Sequence, residues 1–166
     1  PLSVSERITV SCSDGSTWCT RQSECFDRIL LDAPCSSERH VIADPKYLNT
    51  WSLSRIKTVT MEQWALLSSA YRLLEPGGIL LYSTCALCPQ DNDEMLERLF
   101  KKFNKDGKTF ELLSPEYNLE EIKDCCNIII PDFEKTKYGC QILPDIQNGA
   151  GPIYFSIIRK LQSVLS

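Results

Sequence analysis

The chain has 166 residues, with 18 Lys+Arg against 22 Asp+Glu for a net charge of −4, and it is 43% hydrophobic and 24% charged. That balance excludes disorder, collagen and coiled coil, and it argues against a general nucleic-acid coat while leaving a local basic patch open. No apolar run approaches the roughly 18 residues of a membrane span, so no membrane partner is expected. The length suits a single domain over residues 1–166, long enough to bury a sizeable core. Nine Cys at irregular spacing, including the adjacent Cys125-Cys126, argue against a closed disulfide framework and for a reducing, intracellular compartment. Seven Gly, roughly 4% against an average of about 7%, is a low count. The chain begins at Pro1 without a leader, which reads as a fragment or a processed product.

In chain order, Arg7 to Cys12 reads as a short strand with Ile8 and Val10 inward, closed by Asp14-Gly15 turn chemistry. Phe26 to Asp32 is a near-continuous apolar strand of the kind buried on both faces of a parallel sheet, and it stops at Ala33-Pro34. Residues 36–58 are polar and without a sustained period, which reads as loop. A helix is predicted from Thr60, with Met61, Trp64, Leu67, Ala70, Tyr71 and Leu74 on one face, ended by Glu75-Pro76-Gly77-Gly78. Ile79 to Ser83 is the next buried strand. Pro89 then suits the first turn of a second helix carrying Met95, Leu96, Leu99, Phe100 and Phe103. Phe110–Leu113, Ile128–Ile130 and Ile153–Ile158 read as further strands, with an antiparallel hairpin around Asn148 to Pro152 at the sheet edge. The alternation of strand and helix predicts an open α/β sheet.

Ligands of such a sheet sit at the carboxyl ends of its strands. Three predicted ends carry reactive groups: Asp14, Asp32 to Cys35, and Cys85. A lone Cys is most often a small buried hydrophobe, but two thiols at neighbouring strand ends are harder to assign to packing. Cys85 also precedes a predicted helix start, where the dipole and free amides favour a thiolate.

The segments Asp32-Ala33-Pro34-Cys35-Ser36 and, about fifty residues on, Pro76-Gly77-Gly78-Ile79-Leu80-Leu81-Tyr82-Ser83-Thr84-Cys85 resemble two hallmarks of the Sun-type (NSUN) RNA cytosine-5 methyltransferases, D-x-P-C-S and P-G-G-x-x-x-Y-S-T-C. The likeness continues at Gln90 to Glu94, Gly139 to Pro144 and Gly151 to Phe155. Ser36-Ser37-Glu38-Arg39-His40 is most similar to the mitochondrial branch. The resemblance implies a Rossmann-like, S-adenosylmethionine-dependent methyltransferase sheet, truncated at its N-terminal side, with the antiparallel hairpin at its C-terminal end. It implies RNA (tRNA or rRNA) as substrate, a mitochondrial matrix location and room for a protein partner that delivers the RNA.

Carbon 5 of cytosine is a poor nucleophile, and a thiolate adding to carbon 6 makes it an enamine able to take a methyl group. By resemblance Cys85 is that nucleophile and Cys35 the residue that assists release. Asp32 holds the cytosine edge or the amino end of S-adenosylmethionine, and Asp14, with Gly15, faces the adenine amino group, a donor that suits an acceptor-only carboxylate. The residues themselves leave the two Cys roles interchangeable. The family's Gly-rich loop, ribose-binding acid and catalytic Lys have no counterpart in the thirteen residues before Asp14. The chain therefore reads as the C-terminal part of a catalytic domain, expected to be inactive by itself.

Other readings were weighed beside this one. Cys85-Ala86-Leu87-Cys88 is also a C-x-x-C redox pattern. An inactive fragment serving as an RNA- or protein-binding module is a further alternative. No metal site is expected, because one C-x-x-C, His40 and Cys125-Cys126 lack tetrahedral zinc spacing. Arg39 and His40 are candidate contacts to an RNA phosphate. Arg98, Lys101, Lys102, Lys105 and Lys108 form a basic run that reads as a solvated helix face or a backbone-tracking patch.

Overall fold

The structure, a computed structural model, describes residues 7–49, 51–116, 132–145 and 151–163. The expected strand Ile128–Ile130, the Cys125-Cys126 pair and the turn at Asn148–Ala150 lie outside them. Strand β1 (Phe26–Asp32) is followed by helices α1 (Glu38–Ala43) and α2 (Leu53–Leu73), then strand β2 (Leu74–Thr84) and helix α3 (Asp93–Phe103). Four strands complete the described order: β3 (Phe110–Leu113), β4 (Glu134–Lys135), β5 (Cys140–Ile142) and β6 (Ile153–Lys160).

β1 and β2 run parallel, with Ile29 opposite Leu80 and Asp32 opposite Ser83. β6 lies antiparallel against the other edge of β2, Tyr82 opposite Ser156. The far edge of β6 is shared. β3 pairs with residues 157–160 and β5 with residues 153–155, and β4 lies outside β5. The expected antiparallel hairpin is thus seen in the pairing of β5 with β6. Its long strand, however, is central to the sheet and not at an edge, because β6 alternates buried and half-buried residues and satisfies ladders on both sides. The core gathers Leu67, Tyr71 and Leu74 with Leu80, Tyr82, Leu96, Leu99, Phe110, Tyr154 and Ile158.

Several expectations are corrected. Arg7 to Cys12 forms no strand: Ile8 and Val10 stand 59% and 90% exposed. Alternation alone does not make a strand without a ladder partner and a face to cover it. Asp14-Gly15 opens a short 3₁₀ turn through Thr20 that had no sequence signal, with the Asp14 carboxylate accepting from the Ser16 amide at 2.9 Å. β1 is not buried on both faces. Leu30 is 70% exposed, and among the described residues no strand pairs with the outer edge of β1.

Residues 36–58 are not loop but α1, a 3₁₀ turn at Pro45–Asn49 and the first turns of α2. That long helix starts at Leu53, seven residues before the expected Thr60, because the Ser52 hydroxyl caps it by accepting from the Arg55 amide at 3.2 Å. Its buried stripe is Ile56, Val59, Gln63, Leu67, Ala70 and Tyr71, whereas Met61 faces solvent. The helix ends at Leu73, and the Glu75 to Gly78 segment is absorbed into β2. Pro89 is not in the first turn of α3. It sits in the preceding turn, where its carbonyl accepts from the Asn92 and Glu94 amides.

Candidate active site

Parallel pairing puts the carboxyl ends of β1 and β2 on one rim, and both chains turn there. The Ala33 amide donates to the Ser83 carbonyl at 2.9 Å, which holds the turns together just beyond the ladder. Cys35 and Cys85 follow immediately, and their sulfurs lie 2.9 Å apart. Both are free thiols, Cys35 buried and Cys85 half-buried. After Cys35 the chain reverses through Ser37, whose φ of 62° is left-handed, and its hydroxyl donates to the Cys35 carbonyl at 3.0 Å.

The two turns are locked by groups for which the sequence reading assigned no role. The Asp91 carboxylate accepts from the Ser36 amide at 2.9 Å and also meets the Ser36 hydroxyl. That hydroxyl lies 2.7 and 2.8 Å from the two Glu38 carboxylate oxygens. Burial raises the Asp91 pKa, and the hydrogen bonds from Ser36 oppose that shift. Glu38 also accepts from the Trp51 indole at 3.0 Å and the Leu87 amide at 3.3 Å, so it bridges three segments. Asn92 accepts from the Thr84 hydroxyl at 2.6 Å and donates to the Ala86 carbonyl at 2.9 Å, fixing the turn that bears Cys85. The only sequence signal for Asp91 and Asn92 was the family likeness at Gln90 to Glu94, and for Glu38 the likeness of residues 36–40.

The Cys85 thiol is pushed up to about 11, chiefly by burial and secondly by its hydrogen bond with Cys35. The expectation of a helix terminus favouring its thiolate is overturned. α3 begins eight residues later, at Asp93, and no α3 group is among those that lower the Cys85 pKa. Cys85 is therefore a neutral thiol at rest.

Cys88 does not face Cys85. Its thiol donates to the Gln90 side chain at 2.8 Å, so the geometry pairs Cys85 with Cys35 and not across the C-x-x-C. Asp32 is exposed beside the thiols, with the Ser83 hydroxyl at 3.5 Å. Asp14 is also exposed, its carboxyl held below the ordinary range by Ser16. Asp14 and Gly15 border two different hollows against α2, Gly15 within 3.2 Å of Leu66 once given a Cβ. Arg39 and His40 are exposed on α1, next to the rim. Arg98 and Lys102 of the basic run lie over the Trp64 ring, at 4.2 and 5.2 Å. The structure thus joins Cys35 and Cys85 just beyond the strand end that bears Asp32, and sets Asp14 and Gly15 against α2 around Met61 to Ala70.

A family model described as 16S rRNA methyltransferase RsmB/F matches residues 2–151. The ribosomal RNA small subunit methyltransferase F of Shewanella woodyi is 47% identical over 142 residues, covering 84% of this chain and 27% of its own. The tRNA (cytosine(49)-C(5))-methyltransferase of Pyrococcus abyssi is 32% identical over 156 residues, 91% of this chain and 47% of its own. Among solved structures, a methyltransferase homolog protein from Pyrococcus horikoshii is similar with a TM-score of 0.58 and 26% identity, over 82% of this chain and 40% of that one. NSun6 from the same organism reaches a TM-score of 0.63 over 93% of this chain and 34% of that one; at 23% identity it speaks for the fold alone. The chain spans less than half the length of these relatives. Its sheet is the α/β sheet of methyltransferases, and the chain belongs to the 16S rRNA methyltransferase RsmB/F family.

Proposed function

We propose that this chain carries the nucleophile-bearing part of an RNA cytosine-5 methyltransferase, acting on a tRNA or rRNA base turned out of its stack. The single observation that carries the reading is the Cys35–Cys85 sulfur contact of 2.9 Å at the ends of two parallel strands. The relatives' printed activities, on small-subunit rRNA and on tRNA cytosine, support the substrate class.

In this reading Cys85 adds to carbon 6 of the cytosine, which makes carbon 5 nucleophilic. Because Cys85 is neutral at rest, its proton must leave as the base arrives, and addition of the sulfur to carbon 6 lets N3 of the cytosine take it up. Cys35 then assists loss of the carbon-5 proton and release of Cys85 from the base. Asp32 accepts from the cytosine amino group or from the amino end of the cofactor. S-adenosylmethionine, the donor implied by the family, supplies the methyl group when bound. The exposed, acceptor-only carboxylates of Asp32 and Asp14 suit its two amino groups, the α-ammonium and the adenine amine. The remainder of that ligand finds no further polar cradle among the described residues. The chain by itself is accordingly expected to bind S-adenosylmethionine negligibly, and calorimetric binding in the micromolar range would sink that expectation.

The cysteine roles predict an asymmetry in the intact protein. Cys85→Ala should abolish methylation and leave no covalent RNA adduct, whereas Cys35→Ala should accumulate one, seen as a band that survives denaturing electrophoresis. The same band from both variants, or from neither, would contradict the assignment. A mitochondrial location and a partner protein that delivers RNA are finer proposals. The first is supported by the likeness of residues 36–40 to the mitochondrial branch, and imaging of the tagged protein tests it. The second is supported by the net charge of −4, and RNA affinity measured with and without co-purified proteins tests it.

A further inference from the structure

Next to the thiol rim lies a hollow of about 280 Å³ between α1, the Pro45–Asn49 turn and the start of α2, lined by Ser37, His40, Tyr47, Trp51 and Arg55 among others. Ser37 belongs to both places, since its hydroxyl is 3.7 Å from the Cys35 sulfur. The volume falls just below the roughly 300–1,000 Å³ of sites for drug-sized ligands, which suits a smaller, flat group.

Its walls are aromatic. Tyr47 and Trp51 are 41% and 37% exposed, and the His40 and Tyr47 rings meet at 5.5 Å with 37° between their planes. Trp51 is held in place: its indole N–H is tied to Glu38 at 3.0 Å, and its amide donates to the Tyr47 and Leu48 carbonyls. Its ring face is therefore presented in a fixed orientation, which reduces the entropy lost on stacking.

Arg55 is the one guanidinium in the lining of the hollow. Lys46 pairs with Asp44 at 2.5 Å, and Glu38 is already met by three donors. Arg55 has no ion-pair partner among the described residues. A guanidinium beside fixed aromatic faces combines the two elements that hold single-stranded nucleic acid, a backbone charge and stacking platforms.

We propose that this hollow binds one RNA nucleotide next to the target base, its base stacked on Tyr47 and Trp51 and its phosphate on Arg55. The proposal rests on the RNA methyltransferase reading above and adds to it a pocket that selects for a neighbouring unstacked nucleotide. It also gives Glu38 a task shared by the two sites: the same carboxylate that locks the Cys85 turn orients the Trp51 ring.

The test uses the intact protein and a short RNA with 2-aminopurine beside the target cytosine and a fluorescent dye at the far end. Dye anisotropy reports binding, and 2-aminopurine emission reports stacking. In the wild type the emission is expected to fall on binding. Tyr47→Leu, at an exposed side chain, is expected to weaken binding about 5- to 100-fold. Arg55→Gln is expected to reduce the salt slope of log Kd by about one ion. Trp51→Phe keeps a ring while releasing Glu38, so it separates stacking from the Cys85 lock. Emission that stays bright in a complex detected by anisotropy overturns the pocket, as does unchanged affinity in Tyr47→Leu, or no RNA binding at all. If the wild type binds a peptide here with the same Tyr47 dependence and RNA does not compete, the pocket serves protein and the proposal falls. The adduct band of Cys35→Ala reports on the methyltransferase reading independently. A band without quenching removes only the pocket, and quenching without a band removes only the methylation chemistry.

Discussion

The Cys35–Cys85 pair shows how one side chain's environment can oppose its inferred task. A nucleophile benefits from a low pKa, yet burial and a neighbouring thiol push Cys85 up to about 11. No cation lies against the sulfur among the groups that shift it, and the hydrogen bonds from Ser37 and the backbone that lower the pKa only partly offset desolvation. The thiolate must therefore form when a bound group or base changes that environment. Without such a ligand, alkylation of Cys85 by iodoacetamide, followed by mass spectrometry, should be slow at neutral pH. It should rise steadily as pH approaches about 11, because only the deprotonated sulfur reacts. A rate that levels off near neutrality would mean a thiolate already present. Cys88, turned toward Gln90, should label independently of Cys85.

At the scale of elements, the segment between the two cysteines is the clearest case of local signals outvoting periodicity. Residues 36–58 lack a sustained apolar period, yet α2 reaches back to Leu53 because Ser52 satisfies a free amide of its first turn. Ile56 and Val59 then join the buried stripe. Ser52→Ala should lower stability by about 1 kcal/mol in urea denaturation. Fraying of the first turn should carry Trp51 with it and change its fluorescence. No loss of stability would show that the helix start is held by packing alone. α3 is organised differently. Asp93 accepts from the Thr136 and Tyr154 hydroxyls at 2.8 and 2.9 Å and from the Lys137 and Tyr138 amides, so one carboxylate fastens the loop before β5 to the helix. That contact links positions more than forty residues apart, which no local pattern registers.

For the whole molecule, the decisive strand is β6. Its last residue, Lys160, is fully buried, and its ammonium donates to the Leu74 carbonyl at 2.7 Å and meets Glu24 at 2.9 Å. The centre of the sheet is thereby tied to the α2–β2 junction and to the approach to β1. Burial lowers the Lys160 pKa and Glu24 opposes that shift, so the cation depends on its partner. Glu24→Gln should reduce stability by about 1–3 kcal/mol by leaving a buried cation with weaker acceptors. Chemical denaturation at neutral pH measures it, and an unchanged midpoint would show that the Leu74 and Tyr71 carbonyls, at 2.7 and 3.3 Å, suffice. At the opposite side, Leu30 and the outer edge of β1, unpaired among the described residues, form an apolar border. Such an edge invites pairing with another strand.

The two motif segments, read alone, determined the family, the parallel β1–β2 core and the rim on which both thiols fall. The strands and their rim follow from short-range patterns, an apolar run, a helix stripe and a stop at Pro or Gly, whereas the family came from the likeness of the two motifs. The same reading placed a strand at Arg7–Cys12 and buried β1 on both faces, since a sequence states what a segment prefers and not what stands beside it. Only tertiary structure decided that β6 is central, that Cys85 pairs with Cys35 rather than Cys88, and that Glu38 and Asp91 close the site. Those outcomes depend on contacts between distant positions and on desolvation, which raises the pKa values of Cys85 and Asp91. Neither is written in any local stretch of residues.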